Sequence, residues 1–220
     1  MNHSTRIIVA VIGIMLAISG INHGIFEMLQ GNTPTGGVGI NAIGPDHIQW
    51  EWGGEGAFTL VPNFLLTGVL AITISILAAV WSIGFVQKKN GATVFILLFV
   101  ALFLFGGGAA QLVFFLPAWG VATRINKPLT WWQKVLPEKI RPALGKIWPV
   151  TLSISVVSFL IGLYIAITGH VPGFNITEPD TVLAICWTLI FGGGWAMILL
   201  TYVSGFADDI QRRLQKQVTI

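Results

Sequence analysis

Residues 6–30 read RIIVAVIGIMLAISGINHGIFEMLQ, and this stretch decides the class of fold. From Ile7 to Phe26 it contains no Asp, Glu, Lys or Arg. A helix of about 20 such residues crosses the hydrocarbon core of a bilayer. Four polar side chains recur at helical spacing toward its end, namely Ser19, His23, Glu27 and Gln30. Polar groups in a membrane segment are costly, so this stripe is the first hypothesis for a functional site.

The composition extends the membrane assignment to the whole chain. Of the 220 residues, 54% are hydrophobic and 10% are charged, and the mean hydropathy is +0.79. Soluble domains carry roughly 25% charged residues. We therefore expect an all-α, polytopic helix bundle that forms a single membrane domain over residues 1–220. Cys186 is the one cysteine, which excludes an intramolecular disulfide and any metal site built from several cysteines.

Hydropathy predicts about five transmembrane helices and two long connections. The helices are expected at about residues 7–26, 58–86, 92–116, 148–168 and 181–206. The connection over residues 27–57 is polar, contains four acidic side chains and lacks Lys and Arg. Within it, Pro45 is placed to start a short helix over residues 45–52, which Gly53 and Gly54 would end.

The second connection, residues 117–147, is basic and rich in tryptophan. Its six Lys and Arg residues lie between Arg124 and Lys146, against one acidic residue, Glu138. Basic and aromatic side chains together favour an anionic membrane surface. Because membrane spans flank the segment, the expected partners are anionic lipid headgroups and not nucleic acid.

A short internal repeat bears on the third segment. Phe105-Gly-Gly-Gly108 resembles Phe191-Gly-Gly-Gly194, and Pro62 and Pro149 stand at nearly the same offset. Residues 59–116 and 148–206 could then be two copies of one helical hairpin, with chance similarity of glycine-rich helices as the alternative. A true repeat would make the third segment a full span.

The number of spans decides the topology. Five spans place the termini on opposite sides, and the positive-inside rule then favours an external N-terminus, with nine Lys and Arg inside and three outside. The alternative is a re-entrant third segment folded at Gly106–Gly108, which puts both termini and all twelve basic residues in the cytoplasm. The repeat favours five spans. Both topologies give a multi-pass cell-membrane protein with a cytoplasmic C-terminus.

Two His–Glu pairs carry the candidate metal chemistry. His23 with Glu27, and His47 with Glu51, each have i, i+4 spacing, which lets both side chains of a helix reach one ion. Imidazole and carboxylate together suit a divalent Zn, Mn or Fe ion. The alternative is a local hydrogen bond within each pair. A polar path without metal would instead use a set of four side chains, His23, Glu27, Gln30 and Gln111.

Three function classes follow from these features. The first is a component for binding or transport of a small solute or ion, with the polar path at its centre. The second is an accessory or scaffold subunit, since stripes of small residues on three segments could pack against a second copy or a partner subunit. The third is a metal-dependent membrane enzyme, which is favoured less. No Walker A, Gly-x-Gly-x-x-Gly or Gly-x-Ser-x-Gly motif occurs, so nucleotide-driven chemistry and a serine hydrolase are disfavoured.

Overall fold

The computed structural model describes residues 1–218 as a bundle of helices. The α-helices are α1 (His3–Leu29), α2 (Phe64–Gly84), α3 (Gly91–Leu104), α4 (Leu112–Ala122), α5 (Thr130–Val135), α6 (Arg141–Thr168), α7 (Pro179–Trp187) and α8 (Met197–Val218). A π-helical segment, Thr188–Ala196, joins α7 to α8 without a break. Within residues 1–218, four units are long and apolar enough to cross a membrane, namely α1, α2, α6 and the continuous unit from α7 through α8. The prediction of a mostly helical chain with several helices able to span a membrane is confirmed.

The third predicted span is not one continuous helix. α3 ends at Leu104, and α4 begins at Leu112 after a single 3-10 turn, Ala109–Gln111. Between them Gly106 and Gly108 have φ values of +97° and +91°, which L side chains rarely adopt. The prediction of an unbroken helix over residues 92–116 is therefore wrong. Hydropathy could not reveal the break, because glycine fits both a membrane helix and a reversal of the chain.

The break reverses the chain direction and makes α3 and α4 an antiparallel helical hairpin. Gly108 lies against His23 in the last third of α1. Beyond the end of α4, the carbonyl of Ile125 accepts a 2.6 Å hydrogen bond from the backbone N–H of Asn2, at the start of α1. α4 therefore returns to the end of the bundle from which α3 set out.

The start of α1 and the second half of α8 lie at this same end of the bundle. Asp209 in α8 accepts hydrogen bonds from the backbone N–H groups of Ser4, at 3.1 Å, and Thr5, at 2.9 Å. Arg6 donates to the carbonyl of Ile83 near the end of α2. The prediction of termini at opposite ends is thus wrong, because it assumed an odd number of full spans. All twelve Lys and Arg residues fall at this end, which we call the basic end.

The opposite end is covered by residues 30–63, and we call it the acidic end. Two short antiparallel strands, β1 (Gly39–Asn41) and β2 (Gly56–Phe58), organise this connection. The predicted helix over residues 45–52 is wrong. One 3-10 turn, Pro45–His47, forms instead, and Ile48 is already extended. A longer helix does not form here, because the chain has to turn back so that β2 can pair with β1.

Small residues bring α1 and α2 into close contact. A Cβ on Gly24 would lie 2.7 Å from the carbonyl oxygen of Gly68, and Gly20 leaves no room beside Ser75. On α6, Ser155 donates a 2.8 Å hydrogen bond to the carbonyl of Gly194 in the π-helical segment. The predicted small-residue stripes on these helices therefore pack within the bundle.

The two triple glycines differ in structure. Gly106–Gly108 forms a turn between antiparallel helices, whereas the second run lies inside the π-helical segment. The fold thus gives no support to a duplicated hairpin.

A topology test separates the re-entrant arrangement from five full spans. Single cysteines at Asp46 and Asn175, in a Cys186→Ala background, should react with an impermeant maleimide from the same side of the membrane. Cysteines at Lys89 and Lys139 should both react from the other side. Five full spans would separate the members of each pair, so split labelling within a pair would contradict the fold.

A glycine substitution tests the contact between α1 and α2. Gly24→Ala should lower the free energy of unfolding by about 1–3 kcal/mol, because its methyl group overlaps the backbone of α2. Gly120→Ala is the matched control, since Gly120 lies in α4 with open space around it. That variant should be neutral or more stable by up to about 1 kcal/mol. Denaturant titration in detergent micelles measures both, and equal stability of the two variants would rule out the close contact.

Candidate functional site

A cavity of about 240 Å³ lies toward the acidic end of the bundle. α1, the start of α4, α6, α7, the π-helical segment and residues 50–56 enclose it. Most of its surface is apolar. Six aromatic side chains contribute to it, namely Trp50, Trp52, Phe114, Phe159, Trp187 and Phe191, and we call them the aromatic wall. A mostly apolar concave site with few polar groups is the usual form of a small-molecule site.

Polar side chains meet at one end of the cavity, which we call the polar end: Ser19, His23, Glu55 and Gln111. Nε2 of His23 lies 2.5 Å from Oε2 of Glu55, and the two side chains are 5% and 16% exposed. Gln111 donates to the hydroxyl of Ser19 at 3.3 Å. Nδ1 of His23 has no hydrogen-bond partner among the described residues. The polar end therefore contains a buried imidazole nitrogen that makes no hydrogen bond within the described chain.

Glu27 lies one helical turn beyond His23, outside the cavity wall. Its side chain is fully buried, and its carboxylate lies against Gly106, where a Cβ would overlap it. Neither carboxylate oxygen has a hydrogen-bond partner within the part of the chain that the structure describes. An unpaired charge in such a place costs several kcal/mol. The turn over Gly106–Gly108 thus contacts both Glu27 and His23.

The π-helical segment forms another part of the cavity wall. Ile190 and Phe191 contribute to the lining, and Trp187 precedes them at the end of α7. π-helical geometry is rare and occurs frequently at functional sites. Trp50 closes the cavity from the connecting loop, and its Nε1 donates a 2.9 Å hydrogen bond to the carbonyl of Ala166 in α6.

The structure gives different places to the four residues of the predicted polar path. His23 and Gln111 do meet at the cavity, and Glu27 lies beside it. Gln30 does not take part, because its amide donates to the carbonyls of Asn41 and Ala42 and anchors the connecting loop.

The second His–Glu pair does not join the first. His47 and Glu51 are absent from the cavity wall, and Glu51 is exposed to solvent. The carboxylate that reaches His23 belongs to Glu55. Within residues 1–218, no group of three or more His, Cys, Asp or Glu side chains is placed to hold a metal ion. A divalent metal at His23, Glu27, His47 and Glu51 stays a prediction from the sequence.

Sequence reasoning missed the aromatic wall. Its members come from four separate stretches of the chain, and tryptophan near a membrane surface is ordinarily read as an interfacial anchor. Glu55 carried a signal, because it is an acidic residue between glycines in the polar connection. Nothing in its spacing linked it to His23.

The buried carboxylate makes a prediction about stability. Glu27→Met should raise the free energy of unfolding by about 1–4 kcal/mol, because an apolar side chain of similar size replaces an unpaired polar group. Glu138→Met on the exposed surface is the control and should change stability by less than about 0.5 kcal/mol. Denaturant titration in micelles gives both values. A destabilised Glu27→Met would mean that the carboxylate has a partner in the native protein.

Comparisons of the chain with protein families, with curated proteins and with solved structures found no match.

Proposed function

We propose that the protein binds a small solute inside the membrane and acts as a binding or transport component for it. One observation carries the proposal: the two irregular helical segments of the bundle border the same cavity. Gly108 belongs to the turn between α3 and α4, and Phe191 belongs to the π-helical segment. Discontinuous helices placed around a binding site are the usual construction of membrane transporters.

The cavity indicates what kind of solute would fit. Its volume of about 240 Å³ lies below the roughly 300–1,000 Å³ of drug-sized sites. The aromatic wall favours an apolar body, and the polar end offers hydrogen bonds to one polar group. A small amphipathic solute meets both conditions.

Glu27 is the residue that we propose to couple solute binding to a second event. The turn over Gly106–Gly108 contacts both Glu27 and His23, and His23 lines the cavity. A solute that displaces this turn would change the surroundings of the Glu27 carboxylate. Buried ionisable side chains in membrane segments commonly serve such proton or ion steps.

The charge distribution supports an orientation. All twelve Lys and Arg residues lie at the basic end, and the positive-inside rule assigns that end to the cytoplasm. The protein would then be a multi-pass cell-membrane protein with a cytoplasmic C-terminus, and the cavity would lie toward the outer side. The basic segment over residues 124–146 would contact anionic lipid headgroups.

The other two function classes have less support. A scaffold subunit or homo-oligomer would need free small-residue faces, but the stripes on α1, α2 and α6 pack within the bundle. A metal-dependent enzyme would need a set of ligands, but within the described chain His23 pairs with the single carboxylate of Glu55.

A cavity-filling variant tests the proposal. Leu163→Trp places a larger side chain in the cavity, and Val157→Trp is the matched control on the lipid-exposed face of α6. A solute present at about 100 times its Kd should stabilise the wild type and the control by about 2.7 kcal/mol, and it should not stabilise Leu163→Trp. Thermal unfolding against a panel of small cationic, neutral and anionic solutes measures this.

Solutes found in this way should then undergo counterflow in proteoliposomes. Glu27→Gln should reduce their exchange at least about tenfold, as expected for a coupling residue. Glu178→Gln, at an exposed residue that caps α7, should exchange normally. The proposal fails if every stabilising solute also stabilises Leu163→Trp, because binding would then occur elsewhere.

A further inference from the structure

We propose that the solute is a small organic cation, such as a quaternary or tertiary ammonium compound. This inference rests on the proposed function and specifies its ligand class. Three features of the structure support it: the aromatic wall, the charged side chains of the cavity, and the acidic residues at the acidic end of the bundle.

The aromatic wall has the composition that recognises ammonium groups. Three of its six members are tryptophans, the side chain whose ring face attracts cations most strongly. Trp187 and Phe191 stack with ring centroids 5.1 Å apart, and the hydrogen bond to Ala166 fixes Trp50 on another side. An alkylated ammonium gains both apolar contact and cation–π attraction from such a surface.

The charged side chains of the cavity favour a cation over an anion. Among the described residues that line the cavity, Glu55 is the carboxylate and none is Lys or Arg. The titratable groups beside Glu55 in this lining are His23, which it contacts, and the buried thiol of Cys186. An anion would face a carboxylate with no guanidinium or ammonium group to balance it, which is a repulsive arrangement at short range.

The surroundings of the cavity extend the same preference. Six of the nine acidic residues lie toward the acidic end, namely Glu27, Asp46, Glu51, Glu55, Glu178 and Asp180. The basic residues are all at the other end of the bundle. A surface with charges of one sign raises the local concentration of oppositely charged solutes and speeds their association.

Inorganic cations fit this cavity less well. A divalent ion prefers several oxygen or nitrogen ligands. The polar end offers one carboxylate, one imidazole and the neutral oxygens of Ser19 and Gln111, and no third acidic, histidine or cysteine ligand joins them in the described chain. The aromatic wall would give a small hydrated ion no favourable contact in exchange for its lost water. An organic cation can contact both the polar end and the aromatic wall of the cavity.

Three probes of nearly equal shape test the charge preference. They are choline, its neutral isostere 3,3-dimethylbutan-1-ol and the anion 3,3-dimethylbutyrate, titrated into the purified protein in nanodiscs by calorimetry. Choline should bind at least about tenfold more tightly than the neutral alcohol, which corresponds to about 1.4 kcal/mol. The anion should show no binding.

Substitutions then assign the preference to named side chains. Glu55→Gln should weaken choline binding by about tenfold or more and leave the alcohol within about threefold of the wild type. Glu55→Asp, which keeps the charge if the neutral variant folds poorly, should still prefer choline to the alcohol. Trp187→Leu should weaken choline more than the alcohol. Glu178→Gln, at the same end of the bundle but outside the cavity wall, should weaken choline binding by less than about threefold, because water and salt screen an exposed charge.

The outcomes separate the two proposals. If the alcohol binds the wild type as tightly as choline, the cation inference is overturned, whereas solute binding itself stands. If none of the three probes binds, the cation inference is also overturned. The comparison of Leu163→Trp with the wild type then decides separately whether the cavity binds any solute. Equal loss of choline binding in Glu55→Gln and Glu178→Gln would likewise overturn the assignment of charge recognition to the cavity.

Discussion

A backbone N–H or carbonyl group that is shielded from water needs a partner from the protein itself, and this constraint governs the turn at Phe105–Gly108. Gly106 donates a 2.9 Å hydrogen bond to the carbonyl of Phe58, and the N–H of Leu60 donates to the carbonyl of Leu104 at the same distance. The N–H of Gly107 donates a hydrogen bond to the carbonyl of Leu102 in the last turn of α3. The long connection over residues 30–63 is ordered because it supplies these partners. Its strand β2 lies beside the turn for that reason, and Glu55 reaches His23 from the residue before β2.

The same turn determines the distribution of charge. Because α4 returns to the basic end, the segment that follows it lies beside the N-terminus and the end of α8. Asp209 is 3% exposed and accepts hydrogen bonds from two N–H groups at the start of α1 and from the hydroxyl of Thr5. The Asp209 carboxylate of α8 thus caps the N-terminus of α1. It accepts hydrogen bonds from N–H groups that have no partner within α1, and its negative charge stabilises the positive end of the helix dipole. This contact holds the start of α1 against α8.

Hydropathy alone predicted α1, α2 and α6, because a long apolar run in a chain of this composition has few other stable conformations. The charge pattern of the sequence also indicated the re-entrant arrangement as one of two topologies, because that topology places all twelve basic residues on one side. What it could not provide was the choice between that arrangement and five spans. Phe105–Gly108 and Phe191–Gly194 have the same four residues, and only their neighbours in space differ. The same limit applied to the site, whose residues become neighbours only in the folded chain. His23 was identifiable as a polar residue in a membrane helix, whereas its partner Glu55 comes from a loop 32 positions later, beyond any helical period.

The contrast between the two glycine runs shows how one sequence motif can border a cavity from both sides. At Gly106 the extended backbone of β2 offers a hydrogen-bond partner, and over Gly106–Gly108 the chain leaves helical geometry altogether. At Gly193 and Gly194 the neighbours are Ser158 and Ser155 of α6, and the Ser155 hydroxyl satisfies a carbonyl while the helix continues in wider π-turns. Glycine permits both results, because it has no side chain that would fill the adjoining space.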